Sequence, residues 1–391
     1  MIKTASIKTE LGDVFSLFTK EYFSMHKVSL QQRRTVFAIE NCRTSVLGGH
    51  IDKCDSCHHK RISYNSCRNR HCPKCQQLDK EKWIEKLSCM MMPISHFHLV
   101  FTLPSELNNL CLSNQKLMYN LLFKATSQTI LQLSSDKNNL GVETGMISIL
   151  HTWGQNLMDH PHLHVLVPAG GWSLLNGYWK SSDKKFFLPV KMLSQVFRGK
   201  YLSLLKEART EGKIKYPGKL QSLNAKTEFA DLLSKLYKIN WVVFCKKPFK
   251  STRAVVEYLG RYTHRTAISN NRILAIENDE ILFSWKDYRD KGKRKIMKLH
   301  YEEFIRRFLL HVLPKGFCRI RYYGIYANKN RKTKLSEYKK TMGIRVQKSK
   351  FRQTNWKEVM KVVSGKDVDK CPKCKNGTMN LYRILLPKSP T

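Results

Sequence analysis

The stretch LHTWGQNLMDHPHLHVLVPAGG, residues 150–171, carries the pattern that decides the fold. Its second half, HLHVLVPAGG, has the composition and alternation of a β-strand that ends at Pro168 and a pair of glycines. Successive strand side chains point to opposite faces. Two histidines therefore share one face and three aliphatic residues face a core: His162 and His164, against Leu163, Val165 and Val167. The segments FHLVFTLP (97–104) and SILHTW (148–153) also predict strands, so this part of the chain predicts a sheet.

The histidine pair is a candidate metal site. His162 and His164 can direct two imidazoles at one divalent ion and leave coordination positions open for a phosphate. His160 falls on the same face if the strand extends back past Pro161, and His98 could approach the same ion if its strand is a neighbour. Two surface histidines would give the same local pattern, so this interpretation needs support from elsewhere in the chain.

A pair of tyrosines follows in STRAVVEYLGRYT (251–263), which predicts a helix with a serine N-cap. Tyr258 and Tyr262 are four residues apart, so both phenols project from one helix face. Tyrosine can attack a phosphodiester, but its pKa is about 10 and a nearby cation or base must favour the phenolate. Three arginines could hold the phosphate: Arg253, Arg261 and Arg265. Taken alone, the spacing of the two rings favours packing aromatics over nucleophiles.

The cysteines predict structural zinc. Cys54 and Cys57, then Cys72 and Cys75, form two C-x2-C pairs separated by 14 residues, and two such knuckles can complete one tetrahedral site. The ligand set could be these four cysteines, or one of them could be replaced by a neighbour from the same segment: Cys67, His58, His59 or His71. Basic residues within the segment, Arg68, Arg70 and Lys74, predict a zinc-organised positive knob that contacts phosphates.

The remaining cysteines give a weaker signal. Cys371 and Cys374 form a lone C-x2-C knuckle, which could hold a metal with distant partners or be two thiols near the end of the chain. Five others have no metal-binding spacing and are expected to be small buried apolar groups: Cys42, Cys89, Cys111, Cys245 and Cys318.

Charge indicates the partner. The 391 residues contain 70 Lys and Arg against 30 Asp and Glu, a net charge of +40, which favours a nucleic acid as the partner. Residues 329–361 alone hold twelve basic residues and two acidic ones, which predicts a basic arm. Neither a secretory signal nor a membrane-spanning run is recognisable, so we expect a protein of the reducing cytoplasm, associated with the nucleoid, and free thiols. Together with the histidines, tyrosines and cysteines, this charge favours metal-assisted cleavage of a DNA strand through a phosphotyrosine.

These motifs resemble a known family. The runs CRTSVLGGHIDKCDSC, ISYNSCRNRHCPKCQ, FHLVFTLP, LHTWGQNLMDHPHLHVLVPAGG and EYLGRYTHRTAISNNRI occur here in the order seen in the two-tyrosine rolling-circle transposases of the insertion sequence ninety-one family. These are HUH endonucleases, named for histidine, hydrophobic residue, histidine. The resemblance extends from the N-terminal helices to about residue 320.

The resemblance implies an α+β fold. An N-terminal helical and zinc-knuckle domain (1–90) would precede an HUH catalytic domain with a central antiparallel sheet and flanking helices (91–325). The basic C-terminal arm that the charge predicts would follow as residues 326–391. His162 and His164 would bind Mg2+ or Mn2+, with His98, His160 or Asp159 as a third ligand, and Tyr258 and Tyr262 would be the nucleophiles. The implied partner is single-stranded DNA, at element ends and targets, with no small-molecule cofactor and no membrane.

Two other functions fit the same sequence features. A plasmid or phage replication initiator shares the HUH and tyrosine features. A zinc-dependent nucleic-acid-binding protein without catalysis would explain the charge and the cysteines, with Tyr258 and Tyr262 as packing residues.

Overall fold

The structure is a computed structural model that describes residues 9–183, 187–249, 251–263, 267–345, 347 and 349–388; for residues 247, 248 and 261–263 it describes the backbone alone. The helices are α1 Leu11–Met25, α2 Leu30–Glu40, α3 Gln77–Met90, α4 Asn108–Ser113, α5 Gln115–Ser135, α6 Val190–Thr210, α7 Lys226–Lys238, α8 Thr252–Thr263, α9 Tyr301–Leu310, α10 Lys334–Thr341 and α11 Trp356–Ser364. The strands are β1 Gly49–Cys54, β2 Lys60–Tyr64, β3 His96–Thr102, β4 Gly145–Trp153, β5 Asp159–Pro168, β6 Gly170–Trp172, β7 Trp179–Ser181, β8 Val243–Phe249, β9 Ile273–Glu277, β10 Glu280–Asp287, β11 Lys293–His300, β12 Ile320–Gly324 and β13 Met379–Leu385.

A five-stranded sheet of order β12-β4-β5-β3-β8 forms the centre of the molecule. All of its neighbouring strands are antiparallel. The histidine-rich strand β5 lies in the middle, between β4 and β3. Side chains on one face of β5 are therefore flanked by side chains from both neighbours.

One face of this sheet is apolar. Leu163, Val165 and Val167 are fully buried there, as the alternation predicted, and pack with residues of β3 such as Phe97 and Leu99. Helices α5 and α6 cover this face and contribute large buried side chains, including Phe123, Phe197 and Tyr201. Burial of this many large apolar groups makes the sheet a rigid support for the residues on its other face.

The opposite face carries the histidines and is covered by α8 and α3. Val255, Val256 and Leu259 of α8 are fully buried in one cluster with Ile84 of α3 and aliphatic residues of β4. The two helices pack closely at Gly260, where an added Cβ would lie 2.6 Å from Ile84 Cδ1. The helix that contains both tyrosine positions is therefore fixed against the histidine face.

The N-terminal helices pack on a second sheet, of order β11-β10-β9. Leu11, Val14 and Phe15 of α1 share a core with Phe283 of β10 and Phe308 of α9. The β9–β10 hairpin turns at Asn278 and Asp279, both at positive φ, which Asn and Asp tolerate better than most residues.

A third sheet joins the two ends of the chain. Its order is β13-β1-β2, with β13 antiparallel to β1. No strand was predicted in residues 326–391, yet this segment folds as α10, α11 and β13 and returns to the N-terminal region.

The α+β fold is confirmed: an N-terminal helical region with cysteine clusters precedes a central antiparallel sheet with flanking helices. The domain boundaries 1–90, 91–325 and 326–391 stay predictions. Within the described residues, no helix is both long enough and apolar enough to cross a bilayer.

Candidate active site and metal centres

Four histidines meet on the α8-covered face of the central sheet. In the strand register, His162 pairs with His151 of β4, and His164 pairs with Ile149 on one side and Val100 on the other. His98 of β3 lies two residues from Val100, on the same face. All four imidazoles are at least nine-tenths buried. The sheet alone thus brings together histidines that are distant in sequence.

Three of the four can bind one ion. Ring nitrogens of His151, His162 and His164 all lie within 4.8 Å of one another. His151 Nδ1 and His162 Nε2 are 3.1 Å apart, close to the roughly 3 Å that separates adjacent ligands of an ion with bonds of about 2.1 Å. His162 Nδ1 is 2.6 Å from the carbonyl oxygen of His160, which accepts its proton and leaves Nε2 as the free lone pair.

Burial keeps these rings neutral. Desolvation lowers the pKa of His162 to about 3, and it lowers the pKa values of His151 and His164 well below their usual range. Metal ligation requires the neutral imidazole, so the environment favours the form that binds an ion.

His151 was not among the predicted ligands. The predicted third ligands were His98, His160 and Asp159, but of these only His98 contacts the ring of His164. His98 Nε2 is 2.9 Å from His164 Nδ1, so it can orient His164 as a supporting partner. His160 is exposed, with its ring 5.0 Å from that of His162. A signal for His151 was present, since Ile149 and His151 are two residues apart in the predicted strand 148–153 and therefore share a face.

Tyr258 lies beside this cluster. Its ring is edge-on to the ring of His98, with 5.5 Å between ring centres. Lys246, the β8 residue paired with His98, has Nζ 5.2 Å from the centre of the Tyr258 ring. An ammonium this close to the ring can attract a phosphate that approaches the tyrosine.

The other predicted residues of α8 divide into two groups. Arg253 is exposed and forms an ion pair of 2.7 Å with Glu257 on the same helix. The side chains of Tyr262 and Arg261 and the whole of Arg265 lie outside the described residues. Their roles stay predictions.

Asp159 at the start of β5 gives a pH-dependent prediction. The residue is 8% exposed, and neither carboxylate oxygen has a hydrogen-bond partner among the described residues. Burial raises the pKa of Asp159 to about 7. Between about pH 4 and pH 7 the folded state holds a proton that the unfolded state releases, so this group destabilises the fold as the pH rises through that window.

We therefore expect Asp159→Asn to raise the free energy of unfolding at pH 8 by on the order of 2 kcal/mol and to change it little at pH 4.5. Urea unfolding at both pH values measures this, with the exposed Asp231→Asn as the control. A variant that is less stable than the wild type at pH 8 would contradict the prediction and indicate a bound partner for the carboxylate.

The cysteines form two clusters, and the predicted set is divided between them. Cys72 and Cys75 lie with Cys67 and with Cys42, which follows α2; Cys54 and Cys57 lie with Cys371 and Cys374. The fold explains why the four predicted ligands do not share one site. The β1–β2 hairpin directs the first knuckle towards the C-terminal segment, whereas the second knuckle packs against the end of α2. Cys42, expected to be an apolar thiol, is therefore a candidate ligand.

The first cluster has the geometry of a zinc site. Cys67 Sγ and Cys75 Sγ are 3.7 Å apart, near the roughly 3.8 Å edge of a tetrahedron with Zn–S bonds of about 2.3 Å. Backbone N–H groups donate to three of the sulfurs: Cys67 N to Cys42 Sγ, Asn69 N to Cys67 Sγ and Lys74 N to Cys72 Sγ. His58, His59 and His71 belong to neither cluster.

Two of the three basic residues predicted to contact phosphates instead contact other residues of the protein. Arg70 donates to the carbonyl oxygens of Phe317 at 2.6 Å and Pro314 at 3.0 Å, and Lys74 forms an ion pair with Glu10. Arg68 is exposed at positive φ. Of the three, Arg68 is thus the one presented to solvent.

Comparisons with known proteins agree with these features. A family model described as "Putative transposase" matches residues 145–334, and one described as "Transposase zinc-binding domain" matches residues 14–103. The chain is 44% identical over 378 residues to "Putative transposase y4qJ" of Sinorhizobium fredii, covering 96% of this chain and 95% of that protein. It is 28% identical over 301 residues to "Transposase for insertion sequence element IS801" of Pseudomonas savastanoi pv. phaseolicola, covering 75% and 70%. No solved structure matches the chain.

The fold, the cysteine clusters and these matches define a transposase with a zinc-binding domain, a class of enzyme that processes DNA. The chain belongs to the insertion sequence ninety-one (IS91) family, as its motifs indicated.

Proposed function

We propose that this transposase nicks and joins single-stranded DNA through 5′-phosphotyrosine intermediates, with a divalent metal ion held by His151, His162 and His164, as part of rolling-circle transposition. The observation that carries the proposal is the position of Tyr258. Its ring contacts His98, which in turn lies 2.9 Å from His164, so the tyrosine is one side chain away from the cluster formed by His151, His162 and His164.

The donor set fits a metal ion. Three buried imidazoles favour a transition ion over Mg2+, which prefers oxygen ligands, so Mn2+ is the better fit of the two ions that the family resemblance implies. When bound, such an ion would polarise the scissile phosphate and stabilise the charge that develops on it. His98 would hold the ring of His164 in orientation through their hydrogen bond.

The protein residues would supply the nucleophile and its position. Helix α8 holds the Tyr258 ring against the histidine face, and the nearby Lys246 ammonium would attract the phosphate. The phenolic oxygen forms a bond to phosphorus and its proton passes to solvent. The bond from phosphorus to the 3′ oxygen breaks, and that oxygen leaves with the electron pair and takes up a proton. The products are a free 3′ hydroxyl and a 5′ phosphotyrosine, which a second 3′ hydroxyl can reverse without ATP.

The first cysteine cluster would hold the zinc of the zinc-binding domain. Cys42, Cys67, Cys72 and Cys75 offer four thiol ligands in a compact, partly buried site, which is the composition of a structural zinc centre with no open position. The ion would order the segment between α2 and α3, which has few apolar residues of its own.

A strand-specific labelling experiment tests the proposed reaction. An oligonucleotide that carries an element end is incubated with the protein and Mn2+ or Mg2+ and resolved on a denaturing gel. We expect a 3′-end label to migrate with the protein, because the 5′ phosphate of the downstream fragment is bonded to it, and a 5′-end label to migrate as a shorter free strand.

Two outcomes would contradict the proposal. Both labels on free fragments would indicate hydrolysis without a covalent intermediate. Tight binding with no cleavage, at a metal concentration that saturates the protein, would favour the DNA-binding alternative. A replication initiator would give the same labelling, but both relatives compared above are named as transposases.

A further inference from the structure

We propose that Cys54, Cys57, Cys371 and Cys374 hold a second structural zinc ion, which fastens the C-terminal segment to the N-terminal β-hairpin. We call these four residues the clasp. Two of them, Cys371 and Cys374, lie outside both regions matched by the family models, residues 14–103 and 145–334. The zinc-binding domain as matched therefore contains only half of this site.

The sulfur positions fit a single ion. Cys54 Sγ is 3.7 Å from Cys374 Sγ, and Cys57 Sγ is 3.6 Å from Cys371 Sγ, whereas a disulfide would place two sulfurs about 2.05 Å apart. All four sulfurs lie within 4.8 Å of one another. Tetrahedral zinc with thiolate ligands has edges of about 3.8 Å, and a cluster of two irons would separate the pairs further.

Both halves of the clasp are built as metal knuckles. Cys57 N donates to Cys54 Sγ at 3.4 Å, and Gly377 N donates to Cys374 Sγ at 3.4 Å. Each C-x2-C turn is followed by a residue at positive φ, His58 in one and Lys375 in the other. Backbone donors of this kind orient thiolates and partly neutralise their charge.

Gly377 shows that the approach of the two knuckles is specific. A Cβ at this position would collide with Cys54 Sγ and would lie 2.6 Å from Asp55 Oδ1. Asp55 Oδ1 in turn accepts a hydrogen bond of 2.9 Å from the backbone N–H of Thr378, at the entry to β13. The first knuckle thus contacts the second through backbone and side chain at the point where β13 begins.

The sheet around the clasp buries too little apolar area to be stable without a further cross-link. The buried cluster here consists of Cys54, Cys371 and Met379, with Cys57 and Cys374 partly buried, so the cysteines themselves make up most of the core. Three apolar side chains along the C-terminal strand and just after it are exposed: Leu381, Ile384 and Leu386. A three-stranded sheet with so little buried apolar area is marginal without a staple, and a zinc site with four thiolate ligands supplies one.

The inference is tested by counting metal in the full-length protein. By mass spectrometry of bound metals, Cys371→Ser/Cys374→Ser should lose one zinc equivalent relative to the wild type. Cys54→Ser/Cys57→Ser should lose the same equivalent, and the quadruple variant should lose only one. Cys89→Ser/Cys318→Ser is the matched control, since neither thiol belongs to a cluster, and it should lose none.

Two further measurements keep the test decisive if a serine variant does not fold. Cys374→His, which preserves a ligand, should retain the zinc. Removing zinc from the wild type with a chelator should raise the hydrogen-exchange rate of residues 379–385 at least about tenfold. An unchanged zinc content in Cys371→Ser/Cys374→Ser, a loss of two equivalents in the quadruple variant, or exchange at 379–385 that ignores the chelator would each overturn the proposal.

Discussion

Tyr258→Phe is expected to abolish the first covalent protein–DNA adduct, lowering its rate of formation at least about 1,000-fold. The substitution removes only the nucleophilic oxygen. The ring, which packs against Phe249 at 5.4 Å and against His98 at 5.5 Å between centres, is retained, so the fold should not change. The rate is measured with a 3′-labelled oligonucleotide in excess Mn2+, and folding by thermal unfolding of the same samples.

The companion variants make this result specific. Tyr237→Phe on α7, half-exposed and on a helix that packs with the other face of the central sheet, should retain full activity. We propose that Tyr258 attacks first, so Tyr262→Phe should still form the first adduct and lose the subsequent joining step. An adduct that persists in Tyr258→Phe would contradict the assignment of Tyr258 as the first nucleophile.

The second large effect concerns the metal ligands. His162→Ala/His164→Ala should lose metal-dependent nicking by at least about 100-fold and weaken Mn2+ binding by at least as much, since even supporting residues of metal sites contribute about 10–100-fold. His151→Ala should reduce Mn2+ affinity comparably. Titration of Mn2+ followed by electron paramagnetic resonance measures the affinity directly.

His160→Ala is the matched control for this series. His160 was a candidate ligand on the same strand, but its side chain is exposed and lies outside the three-histidine cluster. Its removal should change Mn2+ affinity less than about threefold, because its backbone carbonyl, which orients His162, remains. If His160→Ala weakened binding as much as His151→Ala, the assignment of His151 as the third ligand would fail.

Local periodicity in the sequence predicted the parts of the site that lie on single elements. The alternation of β5 placed His162 and His164 on one face, and the helical pattern of residues 251–263 predicted α8, which carries Tyr258. The apolar face of β5 followed from an equally local signal.

Residue spacing in the sequence could not predict the parts of the site that depend on which strands are neighbours. His151 and His98 reach the site because β4 and β3 flank β5, and strand order is a long-range property of the fold. The same limit explains the cysteines. Spacing alone paired Cys54 with Cys72, whereas the β1–β13 pairing brings Cys54 to Cys374, 320 positions away.

The two candidate metal-binding regions therefore differ in their surroundings. The histidine face lies on a sheet supported by a large apolar core, which would hold reacting groups at fixed distances. The clasp lies where buried apolar residues are few, and its ion would replace a core that the local sequence cannot form.

Anomalous diffraction from crystals grown with Mn2+ tests the central claim most directly, because data on both sides of the manganese edge locate the ion independently of zinc. The account predicts one manganese peak bonded to His151, His162 and His164, on the side of the cluster that faces Tyr258. Manganese bound elsewhere, with the three imidazoles free of any ion, would contradict it.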